Sequence, residues 1–122
     1  MCHSGPKKVT ITISATSAVP YPPTISDGVN VGSTQTEDDN LTTSVQSGNV
    51  VVFQKAGDVG AISNIYETGG SNVFKKLPAI QSDGTWKGEI GAFPAGTIET
   101  YGITYTVDNV TYNQDPKIMI NK

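Results

Sequence analysis

The chain has no arginine, one cysteine and one histidine among its 122 residues. Each shortage closes off a chemistry. All eight basic residues are lysines, and the formal net charge is −3. Phosphate recognition usually relies on arginine's planar fork, and nucleic acid demands a basic face, so neither partner is expected. Cys2 stands alone, which rules out an internal disulfide. Cys2-His3 has the ending of a haem-attachment motif without its first cysteine, so covalent c-type haem is excluded. No apolar run is long enough to span a bilayer. No basic segment followed by an apolar core opens the chain, so no signal peptide is visible and a cytoplasmic location is expected. Were the natural chain to continue upstream, Cys2 would suit the lipid-bearing residue of a mature surface lipoprotein.

The same shortages argue against an enzyme. Nucleophilic catalysis through serine or cysteine needs a general base, and the one histidine, His3, lies at the extreme N-terminus. With a free amino terminus, His3 could take copper or nickel through backbone amides; removal of Met1 would displace it. A loose tail over 1–6 is the preferred reading, since termini are usually poorly ordered. Zinc would find too few ligands. The glycine-containing stretches lack phosphate-loop spacing. Carboxylate acid–base chemistry is formally open, because Glu89 and Glu99 flank the Phe93-Pro94-Ala95-Gly96 corner. Two solvated strand residues are the preferred reading. No catalytic residue and no cofactor are expected.

What the chain does have is alternation. In Ile98–Val107, Tyr101, Ile103, Tyr105 and Val107 share one parity, and Thr100, Gly102, Thr104 and Thr106 the other. A strand with one apolar and one polar face is predicted. Asp108-Asn109 tolerates positive φ, as a two-residue hairpin turn requires. That register sets Val107 opposite Val110 and Tyr105 opposite Tyr112. Lys8–Thr16 alternates Val9, Ile11, Ile13 and Ala15 with hydroxyl residues, and predicts a first strand ended by Pro20, Pro22 and Pro23. Asn49–Gln54 is apolar on both parities, as in a central strand. Ala61–Glu67 and Asn72–Lys76 predict weaker strands, with Lys75-Lys76 on an exposed edge. Around Asp83-Gly84, a three-residue loop with Gly84 left-handed sets Ile80 against Trp86 and keeps one face apolar. Lys117–Asn121 predicts the last strand.

No segment carries a sustained helical period and no repeat is evident. About eight short strands separated by turn signals predict an all-β, antiparallel β-sandwich, Ig-like or jelly-roll-like, as one domain over 7–122. Two groups stand out as candidate sites. Tyr21 sits on a stiff proline-flanked stretch, and Tyr66 is less constrained than the core tyrosines; both are candidate ligand-stacking aromatics. Glu37-Asp38-Asp39-Asn40 is a compact acidic cluster inside a polar stretch, 26–48. Oxygen-rich, it is a candidate calcium site through Glu37, Asp38 and Asp39. A solvated acidic loop is the preferred reading.

The ending Tyr101-Gly-Ile-Thr-Tyr-Thr-Val107, then Tyr112-Asn-Gln-Asp-Pro-Lys-Ile-Met-Ile120, resembles the C-terminus of the PixA/AidA inclusion-body protein family. The N-terminal Val-Thr-Ile-Thr-Ile-Ser strand leading to Tyr-Pro-Pro is a second echo. Gly48-Asn-Val-Val-Val-Phe53 is a third, with Asn49 and Phe53 where the family tends to have aspartate and tryptophan. This chain is also shorter, chiefly between Ile65 and Trp86. The resemblance implies a bacterial cytoplasmic β-sandwich and carries over no active site. A Pro-Ala-Gly-Thr corner leading into a Tyr-x-Ile strand is also similar to Ig-like modules of secreted bacterial proteins. The expected function is a non-catalytic module acting by self-association, as a homo-oligomer, or by binding a partner. The alternative is a lectin-like carbohydrate-binding protein, or an Ig-like accessory module of a larger secreted or surface protein.

Overall fold

The computed structural model describes residues 8–70 and 72–120. The expected tail, with Cys2 and His3, lies outside the described residues. In chain order the elements are β1 (Lys8–Ala15), β2 (Thr24–Ser26), β3 (Val31–Gly32), the helix α1 (Gln35–Asn40), β4 (Thr42–Val45) and β5 (Val50–Gly57). Then come β6 (Val59–Gly70), β7 (Phe74–Ile80), β8 (Trp86–Ile90), β9 (Ile98–Val107), β10 (Val110–Gln114) and β11 (Lys117–Ile120).

The fold is all-β and sandwich-like. One sheet has six strands in the order β3-β2-β1-β5-β8-β7. The other has five, built on β9: β6 pairs along one side, and β10 and β11 share the other, with β4 outside β11. The sheets are mixed. Most ladders are antiparallel, but β1 pairs with β5 and β11 with β4 in parallel. Local alternation predicts strands, not partners, so these long-range pairings have no signature in the period. The two faces close over one core that includes Ile11, Ile13, Phe53, Tyr101, Ile103, Tyr105 and Ile118. Phe53 of the first sheet meets Tyr101 of the second edge to face, centroids 5.5 Å apart. The Trp86 indole Nε1 donates across the gap to the Ile62 carbonyl at 2.9 Å.

Two predicted turns are present as drawn. Asp108 (φ 51°) and Asn109 (φ 66°) are both left-handed, and Val107 faces Val110 while Tyr105 faces Tyr112. Gly84 (φ 88°) closes the loop that sets Ile80 against Trp86. β5 is central between β1 and β8, as its two apolar parities require. The weaker strands run longer than their patterns suggest: 68–70 continue β6, and β7 passes through Pro78 to Ile80. Among the described residues β7 is an edge strand with no ladder partner to lose on its open side, so proline is tolerated.

The 26–48 stretch departs most from expectation. The acidic cluster is not a solvated loop. Thr34 caps a six-residue helix by accepting the Glu37 N–H, and Glu37 reaches back to accept the Ser33 N–H. This is the reciprocal capping of a Thr-x-x-Glu start, displaced by one residue. Six residues are too few to show a helical period.

Candidate functional site

The proline segment and α1 come together at one end of the sandwich, around β10. Tyr21 stacks on Tyr112 with centroids 6.2 Å apart and planes 13° from parallel. Tyr112 in turn stacks on Tyr105 at 5.6 Å. The three rings form a file from the surface into the core, because Tyr105 is fully buried and the other two are half-buried. The Tyr105 hydroxyl donates to the Pro20 carbonyl at 2.8 Å, which anchors the segment that carries Tyr21.

Beside this file lie Asp38, Asp39 and Asp115. The α1 turn buries Asp38 completely, and among the described residues neither of its carboxylate oxygens has a hydrogen-bond partner. It packs where Gly32 has no side chain: a Cβ there would stand 2.6 Å from Asp38 Oδ1. Asp39 Oδ1 accepts the Gln114 Nε2 at 2.5 Å, and its carbonyl accepts the Lys117 ammonium. Gln114 is also buried, with its Oε1 unpartnered.

The carboxylates act on one another and on the ring. Burial, then Asp39 and Glu37, push the Asp38 carboxyl up to about 7. Burial and Asp39 raise Asp115. Tyr21 is raised by its own burial first and then by Asp39, Asp38 and Asp115. Tyr21 thus shares one electrostatic field with Asp38 and Asp39. Glu37 adds to the field on Asp38, but its own carboxylate is occupied at the helix start, and the Ser33 N–H lowers its pKa. Among the described residues, no group of three or more His, Cys, Asp or Glu is arranged to hold a metal.

Tyr66 lies elsewhere. Its ring covers Gly102 on the outward, threonine-bearing face of β9, and its hydroxyl donates to Asn113 Oδ1 at 3.4 Å. This is an aromatic laid over a strand glycine, and it occupies the space of the missing side chain. A Cβ on residue 102 would sit 2.3 Å from the Tyr66 ring. Gly102→Ala is expected to destabilise the protein by about 1–2 kcal/mol, within the usual range for a packing clash. In a Tyr66→Ala background the same change should become neutral or favourable, because alanine is otherwise the better strand residue. Urea midpoints of the four proteins test this, and equal effects in both backgrounds would disprove the clamp.

Glu99 corrects the solvated reading made from the sequence. It shares the parity of Tyr101 and is completely buried. Its Oε1 accepts the Val73 N–H at 2.9 Å, and among the described residues no donor lies within hydrogen-bond distance of its Oε2, with the Glu67 carboxyl as its nearest charged neighbour. Burial pushes its carboxyl up to about 7, against the Val73 hydrogen bond and with help from Glu67. Glu89 is not its counterpart. It lies on β8 in the other sheet, 3.9 Å from the Lys76 ammonium. No family model and no curated protein matches this chain.

Proposed function

We propose that this protein is a non-catalytic binding module whose tyrosine–carboxylate end engages a basic segment of a partner protein. The observation that carries this reading is the convergence of the Tyr21–Tyr112 stack with the half-buried Asp39 and the exposed Asp115, Asp38 being buried beneath them. Tyrosine is enriched at interface hot spots, and its ring face attracts lysine and arginine. The surrounding carboxylates complement the same charge and would steer the encounter.

Self-association is the weaker form of the reading. β7 carries the exposed Lys75 and Lys76, Pro78 and two register shifts, and β6 is interrupted by three. Lysines, proline and bulges are devices that discourage edge-to-edge pairing. Glycan binding is a second reading, favoured by one feature: a half-exposed ring beside the Asp39–Gln114 hydrogen bond, a combination that suits a sugar's flat face and its hydroxyls.

A titration of the labelled protein with an oligolysine peptide tests the proposal. Binding should localise to Tyr21, Tyr112 and Asp115, and weaken with added salt. Tyr21→Ala is expected to cost roughly 1–2 kcal/mol of affinity, and Asp115→Asn to flatten the salt dependence. Salt-insensitive binding of a neutral glycan, lost in Tyr21→Ala, would transfer the assignment to sugar. A light-scattering mass that is a fixed multiple of the chain, with no response to either ligand, would favour self-association.

A further inference from the structure

The outer face of the second sheet holds a different arrangement, apart from the tyrosine–carboxylate end. The Tyr66 ring lies flat on it. A Cβ on residue 102 would stand 2.3 Å from Cζ and 2.7 Å from both Cε atoms. Cζ is nearest and the two Cε atoms are equally and only slightly farther, so that point lies over the ring's face and not off its edge. One face of the ring therefore rests on the Gly102 backbone, and the opposite face is turned away from the sheet. The hydroxyl reaches across β9 to Asn113 on β10, so the ring is held at both ends. The ladders set Asn64, Thr104 and Asn113 in the adjoining row, and Thr106 and Thr111 in the next. Asn64 and Asn113 are exposed. Asn113 Oδ1 accepts the Thr104 hydroxyl at 2.6 Å as well as the Tyr66 hydroxyl. This orients the amide and leaves its Nδ2 donors without a partner among the described residues. The chain carries eight lysines and eleven acidic residues, yet none falls in these rows.

We propose that this face binds a neutral polysaccharide chain, with one equatorially substituted pyranose ring stacked on Tyr66. Such a sugar turns its axial C–H bonds to its two faces and its hydroxyls to the rim. The C–H bonds carry partial positive charge and meet the negative face of an aromatic ring. The rim hydroxyls donate and accept, and so do the carboxamides and hydroxyls in the rows beside Tyr66. A charged ligand would find no counter-charge in these rows. A single sugar would gain little on a flat face without walls, whereas a chain extends over successive rows.

The test uses the full chain, labelled for NMR, with cellohexaose as the probe. The amides of Tyr66, Gly102, Thr104 and Asn113 are expected to shift saturably, with an affinity that does not change with salt. Tyr66→Ala should weaken binding at least about tenfold, as the loss of an aromatic anchor does. Asn64→Ala should weaken it about threefold, the effect of losing one hydrogen bond. Asn64 is exposed, so its variant is expected to fold even if the Tyr66 variant does not. Tyr21→Ala should leave the affinity unchanged. Binding that is lost in Tyr21→Ala and kept in Tyr66→Ala would move the sugar to the tyrosine–carboxylate end and overturn the proposal. No saturable shift, or an affinity unchanged in Asn64→Ala, would overturn it too and leave Tyr66 as a structural cover for Gly102.

Discussion

Raising the pH from 5 to 8 is expected to lower the melting temperature of this protein, by on the order of 5–10 °C for a domain of this size. Two buried carboxyls set the sign. Glu99 and Asp38 both titrate near 7 in the folded protein, each chiefly through burial. In the unfolded chain such groups titrate near 4. Between those values the folded state holds protons that the unfolded state has released, so stability falls as pH rises through the interval. The contribution is full below the unfolded value and lost above about 7. Asp115, also raised, acts in the same direction. Glu37 and Asp83 are lowered, so their contribution is lost at still lower pH, but both are solvent-exposed and screened. Glu99→Gln keeps an acceptor for the Val73 N–H and removes the buried charge. It should raise the melting temperature at pH 8 and flatten the profile, and Asp38→Asn should do the same independently. Calorimetry from pH 4 to 9 is the measurement. A melting temperature that is level or climbing between 5 and 8 would contradict the burial of both acids.

Phe53→Ala is expected to be the most damaging single truncation in the core, at about 3–5 kcal/mol. Phe53 is completely buried on β5, the strand that pairs with both β1 and β8. Its ring crosses to the second sheet and meets Tyr101 at 64° between planes. Alanine would remove the apolar surface, leave a cavity between the sheets, and abolish an edge-to-face pair that itself contributes about 0.5–1.5 kcal/mol. Against a total of roughly 5–15 kcal/mol for a typical domain, the variant would retain little margin. Ile80→Ala is the matched control. It removes an apolar side chain that is 61% exposed, and should change stability by less than about 0.5 kcal/mol. Denaturant midpoints compare the two, and similar effects would mean that Phe53 does not hold the sheets together.

Much of this architecture can be read from period and turn chemistry. The Asp108-Asn109 hairpin and the Ile80–Trp86 register follow from which face must stay apolar. Glu99 was readable in the same way. It precedes Tyr101 by two positions and so shares its inward face. Glutamate is generally exposed, but in this strand parity is the better guide. The Thr34-to-Glu37 spacing was likewise a visible helix start, hidden because only six residues follow it. Other features had no local trace. Tyr21 and Asp39 belong to separate stretches, and nothing in either one records that β10 lies between them. The partnering of β1 with β5 and of β11 with β4 is also a property of the whole chain.

That last pairing bears on how the molecule comes into being. Among the described residues β4 has no neighbour in its sheet except β11, and β11 also joins β9. During synthesis β4 emerges early, and although Asn30 and Asp27 can bond to Thr42 and Thr43, its strand partner is missing until Lys117–Ile120 has left the ribosome. The first sheet needs nothing later than Ile90 to complete its ladders. Assembly is therefore two-tiered: six strands can close during translation, while the second sheet waits for the final segment. Such long-range closure makes folding slow and leaves an unpaired edge exposed in the meantime. A nascent chain arrested before Lys117 would carry β4 as a free strand, the point at which chaperone capture or aggregation would begin.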